Sequence, residues 1–247
     1  MESYNDYNEP LFNNENEDKE NFGDIDNEIK SSIREGFISK VFGIVAYQMI
    51  ILFTFVFFGY TFPTLRLWLL TSRLMLIISF IISIILLLLP IASPNIFRKV
   101  PLNYIILTIF TLSYSWWIAA FVVIYTKQTV LLALFLTIVL TISLSIYAIK
   151  TNNDITILGG TLFSSLILFI ITGIIFMFIS IPLFNILSIY GGLVLFSIYL
   201  IYDIQLIVGN KSHQFGEDDY ILAALNLYLD IISLFIRILS IVGEKEN

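Results

Sequence analysis

Long uncharged, mostly apolar runs alternate with short polar segments along most of the chain. Five runs lack Asp, Glu, Lys and Arg and are each at least 22 residues long, at positions 41–65, 74–97, 100–126, 128–149 and 155–202. A helix needs about 20 apolar residues to cross a hydrocarbon core of about 30 Å. The last run is long enough for two crossings, and Pro182 with Asn185 divides it near its middle. The pattern therefore predicts six transmembrane helices.

A seventh segment, Tyr220–Val242, is equally long but carries a row of polar residues. Asn226, Asp230, Ser233 and Arg237 follow the spacing i, i+4, i+7 and i+11, which places them on one face of a helix. A single polar stripe favours the interior of a membrane bundle, whereas an amphipathic helix in the membrane interface usually has a broad face rich in Lys and Arg. The sequence therefore predicts an all-α membrane protein with seven transmembrane helices.

Composition supports a membrane protein and excludes several kinds of site. Hydrophobic residues make up 58% of the chain and charged residues 13%, and the mean hydropathy is +0.90. Soluble proteins have about 25% charged residues. The absence of Cys excludes disulfides and thiolate chemistry, and one His, His213, excludes His-rich metal sites. We therefore expect no bound cofactor.

The first 36 residues differ from the rest of the chain. They hold eleven acidic and three basic side chains, a net charge of −8, whereas the remainder carries +2. A segment so rich in Asp, Glu and Asn buries too little apolar surface to fold, so residues 1–36 are predicted to form a disordered tail. This leaves 37–247 as the transmembrane domain, and the acidic tail argues against nucleic acid as a partner.

Lys and Arg near the ends of the predicted helices indicate the orientation of the chain. Seven lie on the side of the amino-terminal tail and four on the opposite side. Because cytosolic flanks are enriched in Lys and Arg, the tail is predicted to be cytosolic.

Two acidic residues, Asp203 and Asp230, fall inside predicted transmembrane helices. An ionised carboxylate at the centre of such a helix costs about 2.5–3.5 kcal/mol, so an intramembrane acid indicates a functional site. The two helices are joined by a short loop and are expected to be antiparallel neighbours. Facing carboxyls would share one proton and titrate as a unit. The alternative is that each acid pairs separately with a Tyr hydroxyl, Arg237 or a backbone group.

This region resembles the signature of the Bax inhibitor-1 superfamily, in particular its Lifeguard branch. The similarity lies in LIYDIQLIVG at 200–209 and EDDYILAALNLYLDIISLF at 217–235. Shorter matches occur at 33–42 with Gln48, at 98–103 with Phe110 and Thr111, and at 150–156 with Gly159 and Gly160.

The resemblance implies a fold in which six helices surround a semi-polar C-terminal helix. It also implies a pH-controlled calcium leak across intracellular membranes and a role in restraining cell death. The residues that match the family's pH-sensing pair are Asp203 and Asp230. A basic residue at the end of the second helix competes for this pair in the family, and either Arg98 or Lys99 occupies that position here.

The residues by themselves predict a proton-sensitive intramembrane site, and the resemblance implies that Ca²⁺ is the permeant ion. Together they predict a pH-sensitive calcium leak channel gated by the Asp pair. Carboxylate oxygens suit Ca²⁺, so Asp203 and Asp230 are predicted to be its transient ligands. The expected partners are the lipid bilayer and apoptosis-regulating membrane proteins. The expected location is the endoplasmic reticulum or Golgi, with endolysosomal or plasma membranes as alternatives.

Two other functions stay open from the sequence. Paired acids on the last two helices are also typical of an intramembrane aspartyl protease. That family has Gly-x-Gly before its second Asp, whereas Leu-Tyr-Leu precedes Asp230, so we expect no enzyme. The other alternative is a non-conducting regulator that binds death-pathway proteins.

Overall fold

The computed structural model describes residues 14–178, 182–209 and 211–244. Within these ranges the chain is helical and contains no β-strand. The helices are α1 (Asn14–Thr61), α2 (Pro63–Thr71), α3 (Arg73–Ala92), α4 (Leu102–Val122), α5 (Lys127–Lys150), α6 (Gly159–Phe178), α7 (Pro182–Val208) and α8 (Tyr220–Val242). Short 3-10 turns lie at Pro94–Arg98, Thr156–Leu158 and Glu217–Asp219.

Seven of these helices are long and apolar enough to cross a membrane, which confirms the predicted fold class. The bounds of α8 coincide with those predicted from the sequence. The long uncharged run separates into α6 and α7, and α7 begins at Pro182, where proline's missing N–H is tolerated. The predicted break is therefore confirmed, although residues 179–181 lie outside the described residues.

The short helix α2 departs from the sequence prediction, which placed no element between the first two crossings. The chain leaves α1 after Thr61, and Phe62 is extended with φ −109° and ψ 107°. A residue that precedes proline is biased towards this conformation. Pro63 then begins a new helix of nine residues, so one proline both ends α1 and starts α2.

The amino-terminal part of α1 also differs from its prediction. Composition predicted disorder for residues 1–36, whereas the helix begins at Asn14. Extending an existing helix adds one hydrogen bond for each residue fixed, so it is easier than starting one. Lys30 and Asp26, four residues apart, add an ion pair at 2.6 Å. The prediction for residues 1–13 lies outside the described residues.

The C-terminal helix α8 is the central element of the bundle. In its membrane span 61% of the residues are buried, against 6% in the span of α6 and 11% in that of α3. It packs against α1, α4, α5 and α7, while α3 packs outside α4 and α6 outside α7. This burial confirms the predicted interior position and is incompatible with a helix lying on the membrane surface.

Arg34 links α1 to the carboxyl-terminal end of α7 by hydrogen bonds. Its guanidinium donates hydrogen bonds to the backbone oxygens of Leu206, Val208 (3.2 Å) and Phe215 (2.8 Å). The last carbonyls of a helix lack partners within the helix and carry partial negative charge, which suits a cation. Gly209 ends α7 with φ +81°, and a Cβ there would lie 2.6 Å from Arg34 Nε. Glycine at this position therefore allows both the positive φ of the turn and the close approach of the Arg34 guanidinium.

We predict that Arg34→Ala lowers the free energy of unfolding by about 1.5–3 kcal/mol, because backbone carbonyls lose a charged donor. The measurement is denaturant unfolding of the full chain in detergent micelles. Lys30→Ala is the matched control, since it removes only an exposed i, i+4 ion pair worth about 0.3–0.5 kcal/mol. Equal losses in the two variants would contradict the role assigned to Arg34.

Candidate functional site

Asp203 on α7 and Asp230 on α8 face each other inside the bundle. Asp203 is 2% exposed and Asp230 is 5% exposed. The two carboxyl groups lie within hydrogen-bonding reach of each other. An ionised carboxylate only accepts hydrogen bonds, so a bond between two carboxyls requires a proton on one of them. The structure thus brings the two acids together in an arrangement that suits a shared proton.

Apolar side chains seal the pair on both helices. Each acid is flanked, three residues before and four residues after it, by Leu or Ile side chains that are at most 1% exposed: Leu200, Ile207, Leu227 and Leu234. These positions lie on the same helix face as the acid, one turn to either side. They separate the carboxyls from water along the helix axes, which makes a charge at this depth expensive.

Among the described residues, no cation compensates the pair. In the described part of the chain, neither carboxyl forms an ion pair with Lys or Arg. Asp230 Oδ2 is buried and receives no hydrogen bond from an N–H or O–H donor of those residues. The other titratable groups close to the pair are the phenols of Tyr199 and Tyr202 on α7. Ionising both acids would therefore place two like charges together without a counter-charge.

Arg237 shares the polar stripe of α8 but does not pair with the acids. Its guanidinium lies 5.1 Å from the centre of the Phe169 ring and 6.0 Å from that of Phe196, which are cation–π distances. Gly192 of α7 lies directly beneath it, because a Cβ there would be 2.6 Å from Arg237 Nε. Thus Arg237 occupies an aromatic pocket between α6 and α7. The other two stripe residues, Asn226 and Ser233, are half-buried on α8.

Arg98 and Lys99, predicted to compete for the acid pair, lie away from it. Arg98 Nε is 2.8 Å from Oδ1 of Asp219 and Nη2 is 3.1 Å from Oδ2, a bidentate pair, and Lys99 is exposed. Asp219 precedes Asp230 by eleven residues, about 16 Å along a helix. At the surface the Arg98–Asp219 pair stays hydrated, whereas reaching Asp230 would require burial of the guanidinium. In this arrangement neither basic residue contacts the acid pair, and the predicted competition stays a prediction.

Gln205, which the sequence analysis did not single out, builds a polar layer beside the acid pair. It is 2% exposed, donates from Nε2 to the Asn153 oxygen at 2.9 Å and accepts at Oε1 from the Ile155 N–H at 2.9 Å. These bonds hold the loop between α5 and α6 against α7. In the sequence, the feature that could have marked Gln205 as functional was an amide side chain within an apolar helix, two residues after Asp203.

Asp154 joins the same loop to the loop between α7 and α8. Its carboxylate accepts hydrogen bonds from the backbone N–H of Ser212 at 3.0 Å and of Thr156 at 2.9 Å. The hydrogen bonds from Ser212 and then Thr156 hold the pKa of the Asp154 carboxyl well below its usual range. Asp154 is therefore ionised at neutral pH and cannot serve as a proton switch there.

Asn103 connects the start of α4 to the start of α8 by a hydrogen bond. Its Nδ2 donates to the Tyr220 hydroxyl at 3.0 Å and to the Phe97 oxygen at 3.3 Å. Lys40 of α1 lies 3.5 Å from the centre of the same Tyr220 ring. The amino-terminal end of α8 is thus held by two other helices, which fixes the depth of Asp230.

The described residues contain no group of three or more His, Cys, Asp or Glu side chains that could hold a metal ion. Ca²⁺ takes six to eight oxygen ligands, more than two sealed carboxyls supply. The geometry therefore offers no resident metal site, and the predicted contact of Ca²⁺ with Asp203 and Asp230 stays a prediction about ions in transit.

Together, the fold and the site define a multi-pass helical membrane protein with a buried acid pair between its last two helices. Residues 34–247 match the family model described as inhibitor of apoptosis-promoting Bax1. The chain therefore belongs to the Bax inhibitor family, and the superfamily predicted from the sequence is confirmed.

Individual relatives agree over most of their length. The chain is 31% identical over 221 residues to Bax inhibitor 1 of Schizosaccharomyces pombe, covering 89% of this chain and 80% of that protein. It is 28% identical to protein lifeguard 3 of Homo sapiens, covering 86% and 70%. It is also 32% identical to the Golgi anti-apoptotic protein of Vaccinia virus (strain Lister), covering 91% and 92%.

We predict that the protein shows the infrared band of a protonated carboxylic acid at neutral pH, because one of two facing, uncompensated acids must keep its proton. The measurement is infrared spectroscopy of the full chain in lipid at a series of pH values. The double variant Asp203→Asn/Asp230→Asn should remove the band, whereas either single substitution leaves one buried acid for which ionisation stays expensive.

Asp154→Asn is the control for this measurement. The low pKa of Asp154 means that it contributes no protonated band near neutral pH, so this variant should match the unsubstituted protein. A band that survives in the double variant would contradict the assignment of the proton to this pair.

Proposed function

We propose that this protein is a pH-sensitive calcium leak channel of intracellular membranes, gated by the proton shared between Asp203 and Asp230. The observation that carries the proposal is a pair of buried carboxyls, within hydrogen-bonding reach and without a basic partner, at the interface of α7 and α8. Such a pair is expensive in a membrane, and an intramembrane acid without a partner is a functional site by default.

The proton holds the gate closed by joining the two helices. When it leaves, two negative charges about 4 Å apart repel by about 4 kcal/mol at an effective dielectric constant of 20. Repulsion and the demand of both carboxylates for water favour separation of α7 from α8. Leak therefore increases as the pH rises through the titration of the pair and decreases as the pH falls.

Calcium fits this gate because the opened pair presents carboxylate oxygens to the path. Hard oxygen ligands suit Ca²⁺, and two carboxylates with water can hold it briefly without trapping it. In the closed arrangement, Leu200, Ile207, Leu227 and Leu234 block the axis beside the acids. The bonds of Arg34 and Gln205 close the carboxyl-terminal end of α7.

The family supports the cellular part of the proposal. A relative with 32% identity is named a Golgi anti-apoptotic protein, and another with 31% identity is named Bax inhibitor 1. We extend the anti-apoptotic role to this chain and assign it to the Golgi or the endoplasmic reticulum. Apoptosis-regulating membrane proteins are its expected protein partners.

Reconstitution of the full chain in liposomes loaded with a calcium dye tests the gate. We predict calcium flux that rises with pH, by at most about tenfold per pH unit if one proton controls opening. The double variant Asp203→Asn/Asp230→Asn should make flux independent of pH, because neither amide has a proton to lose in this range.

Asp154→Asn serves again as the control and should retain the pH dependence, since its carboxyl is already ionised across the range. Absence of calcium flux in the unsubstituted protein would refute the channel and favour a non-conducting regulator. Cleavage of a membrane substrate without flux would favour an aspartyl protease instead. Unchanged pH dependence in the double variant would support a channel but contradict gating by this acid pair.

A further inference from the structure

A second feature, separate from the acid pair, is a cavity of about 590 Å³ between α1, α5 and α8. Its wall is almost entirely apolar and includes Val56, Leu134, Ile138, Ile231 and Phe235. Side chains on both rims point out of the bundle, since Phe57 of α1 is 64% exposed and Leu131 of α5 is 65% exposed. The cavity therefore opens sideways, towards the hydrocarbon of the membrane, and we call it the lateral groove.

The length and lining of the lateral groove suit an extended hydrocarbon chain. Along α5 it extends from Lys127 to Ile142, fifteen rises of 1.5 Å or about 22 Å. The wall along this length is almost entirely apolar. A hydrocarbon chain that enters from the membrane can therefore lie along it.

One end of the lateral groove is charged. Lys127, the first residue of α5, lines the groove, is exposed, and places its ammonium 5.8 Å from the centre of the Tyr60 ring. No Asp or Glu is among the described residues that line the groove. The groove starts at the end of a membrane span and runs inward by more than half of a hydrocarbon core of about 30 Å. Lys127 thus lies where a lipid headgroup meets its acyl chains.

We propose that the lateral groove binds a glycerophospholipid, with one acyl chain in the apolar channel and the phosphate against the Lys127 ammonium. Charge complementarity at the mouth selects the phosphate, and the length and apolar wall of the groove suit the chain. The inference rests on the groove and not on the proposed channel. Because Ile231 and Ile232 line the groove beside Asp230, the bound lipid would contact the helix that carries the acid pair.

Photolabelling of the full chain in nanodiscs tests this site. The probe is phosphatidylcholine with a diazirine on one acyl chain, and its partner is diacylglycerol with the same chain. Mass spectrometry should locate the phosphatidylcholine label on groove-facing residues of α1, α5 and α8. Lys127→Gln should lower labelling by phosphatidylcholine about tenfold, a loss of one ionic contact of about 1.4 kcal/mol, and leave labelling by diacylglycerol unchanged.

Two matched controls separate the groove from the general lipid surface. Leu134→Trp fills the groove and should abolish labelling by both probes, whereas Leu132→Trp, on the 48% exposed outer side of α5, should not. Lys150→Gln, at the other end of α5, should not change labelling. If Leu134→Trp fails to fold, the exposed Lys127→Gln still decides the result.

Three outcomes would overturn the site. Label spread evenly over the outer helix faces would show ordinary lipid contact only. Equal labelling of the unsubstituted protein, Lys127→Gln and Leu134→Trp would show that neither the charge nor the groove selects the lipid. Cross-links between two copies through α1 and α5 would show that another protein chain covers the groove.

Discussion

The high cost of an uncompensated charge in a low-dielectric interior controls this structure. Two carboxyls are buried between α7 and α8, and no cation among the described residues pairs with them. They can remain there only if they share a proton or if water reaches them, because two buried like charges repel strongly. In the proposed gate, the pair joins the two helices while it holds a proton and separates them when the proton leaves. That proposal couples the stability and the function of the bundle at one interface.

The rest of the architecture keeps this interface in register. Arg34 and Gln205 secure the carboxyl-terminal end of α7 with hydrogen bonds to backbone groups, and Asn103 secures the beginning of α8 through Tyr220. The layer of leucine and isoleucine on either side of the acids excludes water along the axes. Arg237 contributes a charge to the same helix face, but Phe169 and Phe196 hold it in a separate aromatic pocket. Each of these contacts fixes one helix end or the depth of one helix, and together they hold the two acids at the same level of the bundle.

The central helix also connects the acid pair with the lipid-facing surface. One face of α8 carries Asp230 towards α7, and the neighbouring residues Ile231 and Ile232 line the lateral groove between α1 and α5. A ligand in that groove would restrict the motion of α8 without touching the carboxyls. The proposed proton gate and the proposed lipid site therefore involve successive residues of one helix, and a movement of α8 would change both.

Apolar run lengths and the spacing of polar residues determined the seven spans, the bounds of α8 and its interior position, because a membrane admits only long apolar helices with paired polar groups. The same reasoning identified Asp203 and Asp230, since acids are rare and costly at that depth. Only the tertiary structure decided which groups meet. Arg98 pairs with Asp219 rather than with the acids, and Arg237 turns to aromatic rings over Gly192. Gln205 and Arg34 bind backbone oxygens of distant segments. These contacts depend on the relative rotation and depth of packed helices, which the periodicity of one helix does not encode.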